Sequence, residues 1–212
     1  PLLERLRTGT PARNNQVRAL VLTPTRELAA QVAESVATYG KNLPLTSSVV
    51  FGGVKINPQM QRLRGGCDVL VATPGRLLDL YQQNAVKFEH LEVRILDEAD
   101  RMLDMGFFPD IMWVVERMTG REQTLLFSAT FPQEIIDAAH EFMNEPDFVL
   151  TNAEELDVPP IDLFSVRIGR SNKLWVLGRL LARMDDNDQT IIFCNTKRMV
   201  DLAVERLKKH RF

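Results

Sequence analysis

The sequence predicts an α/β protein in which a parallel sheet carries helices on both faces, followed by the opening of a second unit of the same kind. Three features carry that expectation. Short β-rich runs alternate with helical patterns, as in repeated strand–helix–strand units. The runs are apolar on both faces, as strands buried inside a parallel sheet are. The segment NAEELDVPPID (152–162) is acidic, holds Pro159-Pro160 and parts the alternation in two.

In chain order, RALVLT (18–23), LTSSVVF (45–51), CDVLVAT (67–73), EVRILDE (92–98), QTLLFSA (123–129) and DFVLT (147–151) read as strands. Helical patterns fill roughly 24–39, 56–64, 74–83, 109–118 and 132–143 between them. After the acidic segment come LFSVRI, a helix near 171–184, QTIIFCN (189–195) and a basic amphipathic helix from about 196. The expected division is a first domain over 1–151, a linker over 152–162 and the beginning of a second domain over 163–212.

Composition is that of an ordinary globular chain, 45% hydrophobic and 25% charged. The net charge of -2 provides no global basic field, so any polyanion must be held by local arrangement. Cys67 and Cys194 follow no metal or redox spacing and read as free thiols in a reducing compartment. No apolar run approaches the ~18–20 residues that span a bilayer, and the start has no signal-peptide pattern. Cytoplasmic placement is expected. The first residue is Pro1 rather than Met, which leads to the expectation that the chain begins inside a longer protein.

LVLTPTREL and LVATPGRLL share one design, a buried strand followed by Thr-Pro-x-Arg. Thr23 and Thr73 are good N-cap residues, and Pro24 and Pro74 suit the first helical position. Arg26 and Arg76 then fall third in their helices, beside the free N–H groups of a helix start, which form an anion site. Gly75 lets a ligand backbone come close. Gly52-Gly53, after another strand, offers unhindered backbone N–H groups. These elements lie at the carboxyl ends of strands, where open parallel sheets bind ligands, and together they suggest a polyanion track. Thr-Pro is also simply good capping chemistry, and both readings can hold at once.

RILDEADRMLDMGF (94–107) places three carboxylates within four residues where an apolar run ends. In phosphoryl-transfer sites an Asp at such a position holds Mg²⁺, and a neighbouring Glu orients or deprotonates the attacking water. Asp97 and Glu98 fit those two tasks. Asp100 faces differently, and the hydroxyls of Ser128 and Thr130 at the end of the next run could partner it. A solvated acidic turn and a helix cap are the plainer readings of the same residues.

In order, PTRELA (24–29), GG (52–53), TPGR (73–76), DEAD (97–100), SAT (128–130) and IIFCNT (191–196) resemble the motif series of the DEAD-box RNA helicases. The N-terminal part also resembles the bacterial RhlE-type subgroup. The resemblance implies two RecA-like domains that close on ATP and single-stranded RNA. It implies that Asp97 coordinates Mg²⁺ mainly through water, that Glu98 activates the hydrolytic water, and that Ser128 and Thr130 couple hydrolysis to strand separation. Pro24, Thr25, Arg26, Gly52, Gly53, Thr73, Pro74, Gly75 and Arg76 would grip RNA by its sugar-phosphate backbone, which positions without reading bases. Thr196 resembles a further RNA-phosphate contact, and serves equally well as a cap for the following helix.

A nucleotide site of this kind needs a loop of the form GxxxxGK followed by Ser or Thr. The one Gly-Lys pair, Gly40-Lys41, is followed by Asn42 and has Ser35 where the first Gly should stand. The chain is therefore expected to be the middle of an ATP-dependent RNA helicase, with a first RecA-like sheet that lacks its P-loop strand. By itself it is expected to hydrolyse no ATP and to be poorly stable. The alternative is a nucleotide-independent RNA-binding module.

Overall fold

In the computed structural model, residues 1–118, 123–151, 162–169, 173–185 and 189–209 are described. The chain divides into two compact units, Pro1–Val149 and Leu150–Phe212. The first contains helix α1 (Leu2–Leu6), strand β1 (Val17–Leu22), α2 (Arg26–Tyr39), β2 (Ser47–Val50), α3 (Ile56–Leu63), β3 (Cys67–Ala72) and α4 (Pro74–Gln82). It continues through β4 (Val93–Leu96), α5 (Ala99–Asp104), α6 (Phe108–Val115), β5 (Gln123–Leu126) and α7 (Gln133–Phe142). The strands form one sheet in the order β2-β3-β1-β4-β5, every pairing parallel.

Every residue of β1 and β3 is buried. Alternation along these strands sorts side chains between two helical layers. Leu20, Leu22, Leu70 and Ala72 join Leu77, Leu80 and Ile111 of α4 and α6. Ala19, Val21, Val69 and Val71 join Leu6 and Ala29 of α1 and α2. A parallel sheet covered on both faces leaves only its strand ends open, and that geometry positions everything that follows.

Several expectations need correction. The strands are shorter at their carboxyl ends: β4 stops at Leu96 and β5 at Leu126, where the Asp97 and Phe127 N–H groups make the last ladder bonds, to Leu22 O and Leu96 O. Helices α1 and α5 were not anticipated, being five and six residues long and too short to show a period. Residues 147–151 form no strand, and neither do 163–168 or 189–195. Their apolar side chains are exposed: Val149 is 80% accessible, Phe164 88% and Phe193 91%. A strand exists only where a neighbour supplies its ladder, and no described strand pairs with these runs. The second unit shows α8 (Lys173–Leu181) and α9 (Lys197–Lys209). The expected linker lies outside the described residues except for Asp162.

The amino ends of the strands hold a buried ion network that periodicity did not reveal. Arg18, 3% exposed, sits in β1 beside Asp68 of β3, 1% exposed. The guanidinium donates from Nε to Glu92 Oε1 at 2.6 Å, and from Nη1 to Leu6 O at 2.9 Å and Asp68 Oδ1 at 3.2 Å. Its Nη2 donates to Thr8 O at 2.8 Å. Asp68 also accepts from the Thr46 N–H at 2.8 Å, the Thr46 hydroxyl at 2.9 Å and the Ala12 N–H at 3.3 Å. The network ties α1, its following loop and the start of β2 to the central strands.

Next to Asp68, burial and then that carboxylate push the Cys67 thiol up to about 12. The thiolate is the reactive form. Cys67 is therefore expected to resist alkylation at pH 8 in the folded protein and to react on unfolding; mass spectrometry after a timed maleimide pulse, with and without denaturant, measures this.

Candidate functional site

Because all five strands are parallel, their carboxyl ends share one rim. The strand order fixes the sequence of loops along it: 51–54, 73–76, 23–26, 97–100 and 127–130. The Thr-Pro turns and the Gly pair thus occupy one half of the rim, and the carboxylates and hydroxyls the other. Thr196 belongs to the second unit.

On the first half, the two Thr-Pro turns differ. At β3 the expectation holds locally: Thr73 is the N-cap and Pro74 opens α4, with Arg76 third, though Thr73 makes no side-chain capping bond. At β1 the cap moves two residues on. Thr25, extended at φ -127°, accepts from the Leu28 N–H at 3.3 Å, and α2 starts at Arg26. Thr23 is fully buried; its N–H continues the ladder to Ala72 O at 3.0 Å and its hydroxyl donates to Thr25 O at 3.3 Å. Pro24 therefore lies before the helix, since the sheet holds Thr23 one step longer than the local pattern suggests.

Arg26 is exposed, whereas Arg76 is 8% exposed. Arg76 Nη2 donates to Val54 O at 2.9 Å, and its Nε faces Asp79 Oδ2 at 3.6 Å. Among the described residues its Nε and Nη1 have no hydrogen-bond acceptor. Gly53 has φ +79°, the left-handed region, and a Cβ there would come within 2.5 Å of Arg26 Nη1. Around Gly52 and Gly75 a Cβ would meet nothing within 4 Å. The loop after β2 is thus packed against Arg26 and tied to Arg76, with open space beside its first glycine.

On the second half, the Asp97 N–H extends the ladder to Leu22 O at 3.0 Å, which ends β4. Asp97 Oδ1 accepts from the Glu98 N–H at 3.0 Å. Burial raises the Asp97 carboxyl above its ordinary range, the Glu98 charge adds to that, and the Glu98 N–H opposes it. Glu98 adopts φ 52°, ψ 53°, left-handed for a residue with a side chain, and precedes α5. Its carboxylate pairs with Arg101 at 3.2 Å. Asp100 turns to the neighbouring loop. Its Oδ2 accepts from the Thr130 N–H at 3.0 Å and the Thr130 hydroxyl at 2.9 Å. Its N–H donates to Ser128 Oγ at 3.1 Å, and that hydroxyl donates to Thr130 O at 2.6 Å. Partial burial would raise the Asp100 carboxyl, but the Thr130, Arg101 and Ser128 donors outweigh it and hold the group low. The DEAD and SAT loops are one hydrogen-bonded unit.

Thr196 accepts from the Met199 N–H at 3.2 Å and caps α9. Two residues escaped the sequence reading. Arg101 pairs with Glu98, a salt bridge no spacing distinguishes from a solvated face. Gln59, 4% exposed, donates from Nε2 to Phe51 O at 3.1 Å and accepts from the Phe51 N–H at 3.2 Å. Its signal was available: Ile56, Gln59, Met60 and Leu63 recur at helical spacing, placing a polar residue on an apolar face.

This parallel sheet with helices on both faces, and with carboxylates on one strand end and hydroxyls on the next, is that of a RecA-like domain. The DEAD/DEAH box helicase family model matches residues 1–138, and the chain belongs to that family. It is 39% identical over all 212 of its residues to the DEAD-box ATP-dependent RNA helicase CshA of Streptococcus pneumoniae, covering 40% of that protein. To the ATP-dependent RNA helicase RhlB of Xanthomonas axonopodis pv. citri it is 39% identical over 198 residues, 92% of this chain and 34% of that one. Among solved structures, a DEAD box protein from Methanococcus jannaschii aligns with TM-score 0.62 at 33% identity, covering 95% of this chain and 54% of that one. A hypothetical ATP-dependent RNA helicase from Sulfolobus tokodaii aligns with TM-score 0.62 at 37% identity, over 69% of this chain and 41% of that one. The chain thus spans well under half the length of these curated relatives. Among the described residues, no helix is long and apolar enough to cross a membrane.

Proposed function

We propose that the protein carrying this chain is an ATP-dependent RNA helicase, in which the rim loops 23–26, 51–54 and 73–76 hold RNA backbone and the loops 97–100 and 127–130 serve ATP hydrolysis. The observation that carries the reading is the division of the rim: the Gly and Arg elements lie together on β2, β3 and β1, and the carboxylates and hydroxyls lie together on β4 and β5. Residues 163–212 are taken as the beginning of a second RecA-like domain, in which Thr196 is a further phosphate contact as well as a cap.

The Asp97 site suits a hydrated Mg²⁺. Burial has raised its carboxyl, so a nearby cation would restore the ionised form. Mg²⁺ keeps most of its waters and takes only one or two carboxylates, of which Asp97 would be one. When bound, Mg²⁺ would neutralise charge on the triphosphate. The donors for the β- and γ-phosphates are not among these residues, and no GxxxxGK loop occurs in the chain.

Within this reading, Glu98 takes a proton from the attacking water, and Arg101 orients its carboxylate. The bonds that Thr130 donates to Asp100 join the hydrolytic loop to the end of β5, so a displacement of one moves the other. RNA contacts made by backbone N–H groups and Arg side chains carry no sequence preference.

Hydrolysis of ATP by the full protein, measured with and without single-stranded RNA, tests the proposal. Stimulation by RNA of any sequence is expected. RNA binding with no nucleotide hydrolysis would instead favour a nucleotide-independent RNA-binding module. Arg76→Ala is expected to weaken RNA about equally for all sequences and to lower the log–log salt slope by up to ~0.7, the value for one single-strand phosphate. Filter binding across a salt series measures both; a loss confined to one sequence would mean that Arg76 reads bases.

A further inference from the structure

We infer that Gln59 is a positioning residue for RNA: it sets the Gly52-Gly53 loop by holding the Phe51 peptide from both sides. Its amide accepts from the Phe51 N–H at 3.2 Å and donates to the Phe51 carbonyl at 3.1 Å. That is the pairing a neighbouring strand would make, supplied here by one side chain from α3. It comes where β2 has ended at Val50 and Thr73 N–H closes the last rung to Val50 O at 3.1 Å. Phe51 would otherwise have both backbone groups unpaired at a half-buried position, which costs free energy.

The other end of the loop is held independently. Arg76 Nη2 donates to Val54 O at 2.9 Å. Between these two fixed points stand Gly52 and Gly53, and among the described residues neither N–H has an acceptor. Two unpaired peptide donors, the first beside open space and the second against the Arg26 guanidinium, are clamped at Phe51 and Val54 and so arranged in advance for an anion. Preorganisation lowers the ordering cost of binding. Gln59 is 4% exposed, so it acts through Phe51 and not by touching the ligand.

The inference rests on the RNA-binding reading of this rim, and the experiment separates the two. Gln59→Leu keeps the volume and removes both bonds; Gln59→Glu keeps the acceptor and loses the donor. In the full protein, the RNA concentration for half-maximal stimulation of ATP hydrolysis is expected to rise about tenfold in Gln59→Leu and less in Gln59→Glu. The rate at saturating RNA and the rate without RNA are expected to stay near those of the unmodified protein. Hydrogen exchange is expected to speed up at the Phe51 amide, which loses its acceptor, while the thermal midpoint holds within a few degrees. Faster exchange at the loop with an unchanged RNA requirement would overturn the inference and leave the RNA-binding reading intact. An unmodified protein that binds no RNA would overturn both. Should Gln59→Leu fail to fold, Gln59→Glu decides: an unchanged RNA requirement with faster exchange at the loop refutes the role.

Discussion

On the function proposed above, replacing Glu98 by Gln in the full protein is expected to lower ATP turnover roughly 10²–10⁴-fold, the usual contribution of a positioned general base, while ATP and RNA still bind. Gln has the same shape, so what surrounds the residue survives. The left-handed backbone at φ 52°, the Glu98 N–H bond to Asp97 Oδ1 at 3.0 Å and the bond from Met102 N–H to Glu98 O at 3.0 Å need no carboxylate. Only the capacity to accept a proton is lost, with the ion pair to Arg101 at 3.2 Å. That pair is between exposed side chains and contributes at most about 1 kcal/mol, so a fall of several hundredfold cannot come from its loss. Removing a carboxylate also relieves the repulsion that helps raise Asp97. Steady-state turnover, with equilibrium binding of nucleotide and RNA measured on the same preparation, checks the expectation. Turnover within about threefold of the unmodified enzyme would assign the base elsewhere.

The second large effect lies at the opposite end of the sheet. Asp68→Ala is expected to cost about 3–5 kcal/mol, because it breaks the fully buried pair with Arg18, which keeps only the partly exposed Glu92, and leaves the Thr46 and Ala12 N–H groups without their acceptor. In a chain of this size that is a fall in thermal midpoint of roughly 10 °C. The effect on RNA or nucleotide binding should be small at temperatures where the variant stays folded, since the network sits at the amino ends of the strands. Acidification supplies a second check. Burial would raise the Asp68 carboxyl, but the Thr46 N–H and hydroxyl, the Ala12 N–H and Arg18 together hold it below its ordinary value. A carboxyl depressed in the folded state contributes stability above its unfolded value, about 3.9, and loses it as pH falls through the folded one. The advantage of the unmodified protein over Asp68→Asn should therefore be constant near neutrality and shrink below about pH 4. Denaturant melts at pH 7, 4 and 3 measure it; a gap that stayed constant down to pH 3 would mean that the carboxylate is not the source. Asp97 has the opposite sign: its raised carboxyl makes ionisation a cost to the fold that acid relieves.

Local pattern determined a good deal about this chain. Both-faces-apolar runs marked the central strands β1 and β3 most clearly, because a strand buried in a parallel sheet meets hydrophobic side chains on either side, whereas the edge strands β2 and β5 are only partly buried. The short motifs, each at the end of such a run, marked the residues of the rim. What local pattern could not carry was pairing. Residues 147–151 and 189–195 have strand composition and pair with no described strand, since a ladder needs a neighbour that composition does not name. The Thr23 turn missed its cap for the same reason: a ladder bond to Ala72, in a strand fifty residues away, overrode the local preference.

Tertiary structure alone decided which residues are neighbours. Arg18 and Asp68 meet because β1 and β3 are adjacent and in register, with Val17 opposite Cys67. The helix start placed Arg76 beside an anion site, and only the fold shows its side chain largely buried, with Nη2 tied to Val54 O of the loop that carries Gly52 and Gly53. Strand order put that loop, the Thr-Pro turns and the acidic turn on one rim in a defined sequence. Hydrophobic periodicity follows from the solvent each residue meets and is written locally, whereas contacts between distant residues follow from chain topology and are not.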